Sequence, residues 1–99
     1  MLTIDLSLNN GILYNGLNIE EVAGRLNLVT PVEEAVNTVG RNIHACIELL
    51  SPESRDEVTL TGPMAVWSYL VVFHAVVHKF RRVYYNDGRN GAILVAAHG

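Results

Sequence analysis

The sequence predicts an α/β chain of the α+β kind: a single small domain over residues 1–99, with a mixed sheet, a C-terminal β-hairpin and helices packed on it. Three observations predict it. Apolar and polar residues alternate from Leu2 to Leu8, the period of a strand. A capped apolar stripe at helical spacing runs from Thr30 to Leu50. Two runs of strand formers, Arg82–Tyr85 and Ala92–Ala97, flank a turn rich in glycine and asparagine.

Taken in order, Leu2–Leu8 is the first strand and Asn9-Asn10-Gly11 a turn. Ile12-Leu13-Tyr14 is expected to return as a short second strand. Asn18, with Glu21 as its capping-box partner, is expected to start a short helix over Ile19 to Leu26. The next helix has Thr30 as N-cap, Pro31 at its first position and Glu33 closing a capping box. Its stripe is Val32, Val36, Val39, Ile43, Ile47 and Leu50, and Ser51-Pro52 ends it. Gly40, in its middle, either weakens the helix or marks close packing. Val58-Thr-Leu is a short strand. Thr61-Gly62-Pro63 turns into a third helix, reaching about Phe80 and apolar on nearly all sides. The hairpin Arg82–Ala97 follows, turning at Asp87-Gly88-Arg89-Asn90-Gly91.

Composition narrows the function classes. Hydrophobic residues make up 49% and charged residues 17% of the 99, which excludes intrinsic disorder. A chain this short buries a limited share of its surface, so oligomerisation is a plausible source of stability. The lone Cys46 excludes an intrachain disulfide and a tetrathiolate zinc site, which fits a cytoplasmic protein. The N-terminus lacks the basic and apolar regions of a signal peptide. The apolar stretch Met64–Val77 is too short to span a bilayer. A net charge of −3 argues against duplex-DNA binding. That charge is unevenly placed. Residues 1–62 carry three arginines against nine acids, and residues 63–99 carry Lys79, Arg81, Arg82 and Arg89 against Asp87 alone. Either a local anion site or neutralisation at a subunit contact explains the asymmetry.

Several side chains in the last third can carry chemistry. His74 and His78 are four apart on one helix, a spacing that holds a metal or a phosphate as readily as it places hydrogen-bonded core histidines. Arg89 offers planar donors to phosphate, beside glycines that let backbone approach a ligand. Thr61, Gly62 and Pro63 lie between a strand and an expected helix N-terminus, where free amides and the helix dipole favour an anion. Chain direction adds a constraint. His78 and His98 fall at one end of the hairpin and Asp87 and Arg89 at the other, roughly 20 Å apart for a six-residue strand. A site using all four needs two subunits meeting head to tail.

The run His78–His98 resembles the small CRISPR-associated ring nucleases of the Csx type, which cleave cyclic tetra-adenylate. That family has a glycine-proline turn, a tryptophan, a histidine-bearing helix, an Asp-Pro-Arg-Leu-Gly turn and an apolar strand ending in histidine. The counterparts are Gly62-Pro63, Trp67, His74 and His78, the turn Asp87–Gly91, and Ala92–His98. The resemblance implies a domain that dimerises, sandwiches the cyclic ligand between dimers and builds a composite, metal-assisted site, commonly with Mn²⁺. It implies His78, Asp87, Arg89 and His98 as catalytic residues, with His78 and Asp87 as metal ligands. Thr61, Gly62, Pro63, Arg89, Asn90 and Gly91 would contact the ligand. Cleavage would proceed by attack of the adjacent 2′-hydroxyl or of a metal-bound water. The alternative is a sponge that holds the ring without cutting it.

Overall fold

In the computed structural model, which describes residues 2–97, six strands and two helices follow one another as β1 (Leu2–Asp5), β2 (Ile19–Val22), β3 (Arg25–Leu28), α1 (Val32–Glu48), β4 (Glu57–Thr61), α2 (Val66–Val77), β5 (Arg82–Asn86) and β6 (Ala92–Ala97). The main sheet has the order β1-β4-β5-β6. β1, β4 and β5 are parallel and β6 is antiparallel to β5. Parallel neighbours need crossovers, and α1 and α2 supply them. Both crossovers advance in one direction across the sheet, so right-handed connections put both helices on the same face. The two helices pack on each other there. The predicted α+β architecture, with its C-terminal hairpin, is therefore what the chain forms.

The core lies between that helical layer and one face of the sheet. Val58, Leu60 and Val83 point up from β4 and β5, and Ala35, Val39, Ile43 and Ile47 point down from α1. α2 contributes Ser68, Val72, Ala75 and Val76. The α1 stripe is shifted from the expected one: Val32 is exposed, and Ala35 takes the buried place at the start. The opposite face of the sheet is polar along β4 and β5. There Arg82 and Tyr84 both donate to the Glu57 carboxylate, at 3.2 and 3.0 Å. These bonds lower the Glu57 pKa and raise that of Tyr84.

Three local expectations are corrected. Ile12-Leu13-Tyr14 is not a strand but part of a turn-rich segment that drops Leu13 and Tyr14 into the core. The Tyr14 hydroxyl donates to the Leu6 carbonyl and sits 2.8 Å from Ser68 Oγ, and burial raises its pKa. Ile19–Leu26 is not a helix but most of the β2–β3 hairpin, turning at Ala23 and Gly24 with φ of 52° and 78°. Two left-handed residues in succession suit the right-handed twist of a two-residue hairpin. Thr30 does not cap α1. Its hydroxyl accepts from the Asn18 amide at 2.8 Å and closes the hairpin base, and Pro31 occupies the N-cap. At the other end of α1, Arg55 Nη2 donates to the Ile47 and Leu50 carbonyls at 3.0 and 3.1 Å. It satisfies acceptors that a helix terminus leaves open.

Candidate functional site

The carboxyl ends of the three parallel strands meet along one edge of the molecule. Leu6, just past β1, donates its amide to the Thr61 carbonyl at 2.8 Å. Thr61, at the end of β4, donates its hydroxyl to the Asn86 carbonyl at the end of β5, at 3.0 Å. Thr61-Gly62-Pro63 and the turn opening at Asp87 therefore lie at the same end of the sheet. Gly62 has φ of 103°, and a β-carbon there would collide with the Asp5 carboxylate and press tightly on the Leu6 and Ser7 amides. Asp5 is held in turn by the Ser7 amide and hydroxyl, at 2.9 and 3.0 Å.

The expected helix N-terminus does not begin at Pro63. α2 begins at Val66 with Ala65 as N-cap, so Pro63 lies three residues before the helix. The Gly62 carbonyl accepts from the Tyr69 hydroxyl at 2.5 Å. Burial, then the nearby Tyr85, pushes the Tyr69 pKa up to about 12, so this hydroxyl remains a donor.

Asp87, Arg89, Asn90 and Gly91 stand exposed at the hairpin tip. Asp87 Oδ1 accepts the Asn90 and Arg89 amides, at 2.9 and 2.8 Å, and Oδ2 accepts Asn90 Nδ2 at 2.8 Å. These bonds, the Asn90 amide foremost, hold its pKa below the usual carboxylate range. Asn86 Oδ1 likewise accepts the Gly88 amide at 2.9 Å. Gly88 and Gly91 adopt φ of 83° and 70°. The loop is thus tied by its own side chains, and the Arg89 guanidinium has no hydrogen bond or ion pair among the described residues.

His78 is at the other end of the sheet. It caps the C-terminus of α2, exposed, four residues before β5 starts. Its ring meets that of His74 edge-on with centroids 5.2 Å apart, on one helix face as the spacing predicts. The five residues of β5 separate His78 from Asp87, about 16 Å at the usual rise per residue. His78 and Asp87 of one chain cannot share a metal ion. No group of three metal-ligating side chains exists among the described residues, and both Asp87 oxygens already serve their own loop. The residues of one chain therefore do not fit the implied Mn²⁺. His98 lies outside the described residues.

Sequence reasoning missed Arg25. The hairpin correction moves it from a helix to the first residue of β3, where it lines a cleft of about 400 Å³ with Ser7, Asn9, Asn27 and Pro63. The available signal was Gly24, which disfavours a helix interior and suits a turn.

Fold and site together define a small, open, one-sided α+β domain. It carries a glycine-dependent polar cluster at the carboxyl ends of its parallel strands and a self-tied arginine loop beside it. No family model, no curated protein and no solved structure matches the chain.

Proposed function

We propose that the protein binds cyclic tetra-adenylate, the second messenger of type III CRISPR immunity, and cleaves it at a composite site between two subunits. The observation carrying this reading is the loop Asp87–Gly91. It presents an arginine with no hydrogen bond or ion pair among the described residues, on a loop held by two backbone bonds and one side-chain bond to one carboxylate, a shape suited to a phosphodiester. The helix histidines stand at the far end of the same hairpin strand, so a site using both draws on two chains.

In this reading Arg89 neutralises the phosphate. His78 of the other subunit takes the proton of the adjacent 2′-hydroxyl as its oxygen attacks phosphorus. The bond to the 5′-oxygen breaks, leaving a 2′,3′-cyclic phosphate and a 5′-hydroxyl, with His98 returning the proton. No step runs through a metal. Asp87 acts as the positioning residue of the Arg89 loop. The engagement of both Asp87 oxygens within the loop also favours a second reading, a sponge that holds the ring uncut.

The test is incubation of the purified chain with cyclic tetra-adenylate, with and without Mn²⁺, followed by chromatography of products and a binding titration. Linear products bearing cyclic phosphate ends are expected. Arg89→Ala should weaken binding at least tenfold, the scale of one charge-assisted phosphate contact. Tight binding without products selects the sponge, and a chain that neither binds nor cuts the ring removes both readings.

A further inference from the structure

α2 presents one row of side chains to solvent. Val66, Leu70, His74 and His78 recur every four residues and all are exposed, while Ser68, Val72, Ala75 and Val76 are buried. The histidines of this apolar helix are therefore surface residues, not hydrogen-bonded core ones. Each ring meets the other, and neither has a hydrogen bond or ion pair to any other described residue. Their nitrogens are open to a ligand from outside the chain.

The rings stand where one metal ion can be shared. A metal–nitrogen bond of about 2.1 Å, with roughly 1.1 Å more to the ring centre, puts two imidazoles on a tetrahedral ion about 5 Å apart, centre to centre. The centroids of His74 and His78 are 5.2 Å apart. Their planes cross at 82°, and two crossing planes share a line on which an ion lies in the plane of both rings. The place along the helix also favours a cation. His74 is in the last turn of α2 and His78 is its C-cap, at the negative end of the helix dipole. Two cations follow in the chain and oppose it. Arg81 is paired with Asp56 at 3.4 Å, and Lys79 is exposed, so solvent screens it.

We propose that His74 and His78 chelate a single transition-metal ion of the Cu²⁺ or Zn²⁺ kind, one nitrogen from each ring, with water completing the coordination. The donor set selects the metal. Imidazole suits copper, nickel and zinc, whereas Mn²⁺ prefers oxygen, and no carboxylate joins the pair in a three-ligand group among the described residues. The site lies on one helix of one chain. It differs in metal and in ligand set from the Mn²⁺ site on His78 and Asp87 that the resemblance implies. A bound ion ties residues 74 and 78 across the last turn of α2.

The experiment titrates the full chain, without nucleotide, with Cu²⁺, Zn²⁺ and Mn²⁺. It uses wild type, His74→Ala, His78→Ala and, as control, His44→Ala, another exposed histidine. Calorimetry should give one Cu²⁺ or Zn²⁺ per chain, with Cu²⁺ bound most tightly and Mn²⁺ least. Losing either α2 histidine should weaken binding by more than the roughly tenfold of a lost outer-shell partner. His44→Ala should change nothing. Electron paramagnetic resonance of the Cu²⁺ form should show two coupled nitrogens in wild type and one in each α2 variant. Thermal midpoints without metal should match wild type, which shows that the variants fold. Mn²⁺ bound as tightly as Zn²⁺, a single coupled nitrogen in wild type, or α2 variants that bind as wild type does would each overturn the proposal and leave only a contact between rings. One consequence rests on the proposed function: an ion held here takes the His78 nitrogen that would accept the 2′-hydroxyl proton, so Zn²⁺ should slow ring cleavage. The titration itself uses no ring, so a chain that ignores cyclic tetra-adenylate removes the functional reading and leaves the metal site standing.

Discussion

Gly62 has less freedom to change than the other glycines at the polar end of the sheet, Gly88 and Gly91, where an added β-carbon meets nothing. Its φ of 103° lies where residues with a side chain are strained, and a β-carbon would lie 3.0 and 3.1 Å from the Ser7 and Leu6 amides, with the Asp5 carboxylate nearer still. A carboxylate can rotate away, but two strand-end amides cannot. Gly62→Ala should cost about 2–4 kcal/mol, measured as a drop in the urea midpoint at unchanged slope. Adding Asp5→Ala should recover only a small part, because backbone strain and the amide contacts persist. Full recovery would show that the carboxylate alone sets the constraint. The glycine was visible in the sequence as a turn former, but its true reason was not. That reason is the approach of a segment more than fifty residues earlier in the chain. Tyr14 was hidden in the same way. Three apolar letters suggest a strand, and the partner that draws the hydroxyl inward, Ser68, is far away in sequence.

At the level of elements, legibility followed the range of the forces involved. α1, α2, β4 and the C-terminal hairpin are set by local period and turn chemistry, and they form close to where the pattern places them. The β2–β3 hairpin was masked by a capping-box pattern, Asn18 to Glu21, that a helix of eight residues would need tertiary support to use. Instead the Asn18 amide and carbonyl bond Thr30 Oγ1 and the Val29 amide across the hairpin base, both at 2.8 Å. The candidate site was legible as residue types and chain direction, which correctly separate His78 from Asp87. The closure of the Asp87 carboxylate upon its own loop was not legible, because only the folded turn fixes which amides it meets.

Gly40 offers a test at this same scale. It sits within α1 with an ordinary negative φ, and the nearest atom to an added β-carbon is Val71 Cγ1 at 3.8 Å, a normal van der Waals contact. The glycine is therefore not required for close approach of α1 and α2. Gly40→Ala should stabilise the fold by about 1 kcal/mol through helix propensity, seen as a higher thermal midpoint. A loss of stability would mean that the helices cannot tolerate even this contact.

For the molecule as a whole, the separation of its two reactive ends decides how many chains a site requires. β5 holds Arg82 and Asn86 in a rigid parallel ladder with β4, so no loop motion brings His78 to Asp87 within one chain. If the proposed composite site operates in a two-fold dimer, each of its two sites takes histidine from one chain and arginine from the other. His78→Ala and Arg89→Ala should then each abolish cleavage alone. Random mixing makes about half of the dimers mixed, and each mixed dimer has one site with both residues intact and one with neither. The equimolar mixture should therefore regain about a quarter of wild-type activity per chain, read from the initial rate of cyclic tetra-adenylate loss after subunits exchange. An active site contained in a single chain predicts no recovery at any ratio. The recovered fraction therefore counts the chains that build the site without reference to which residue does the chemistry.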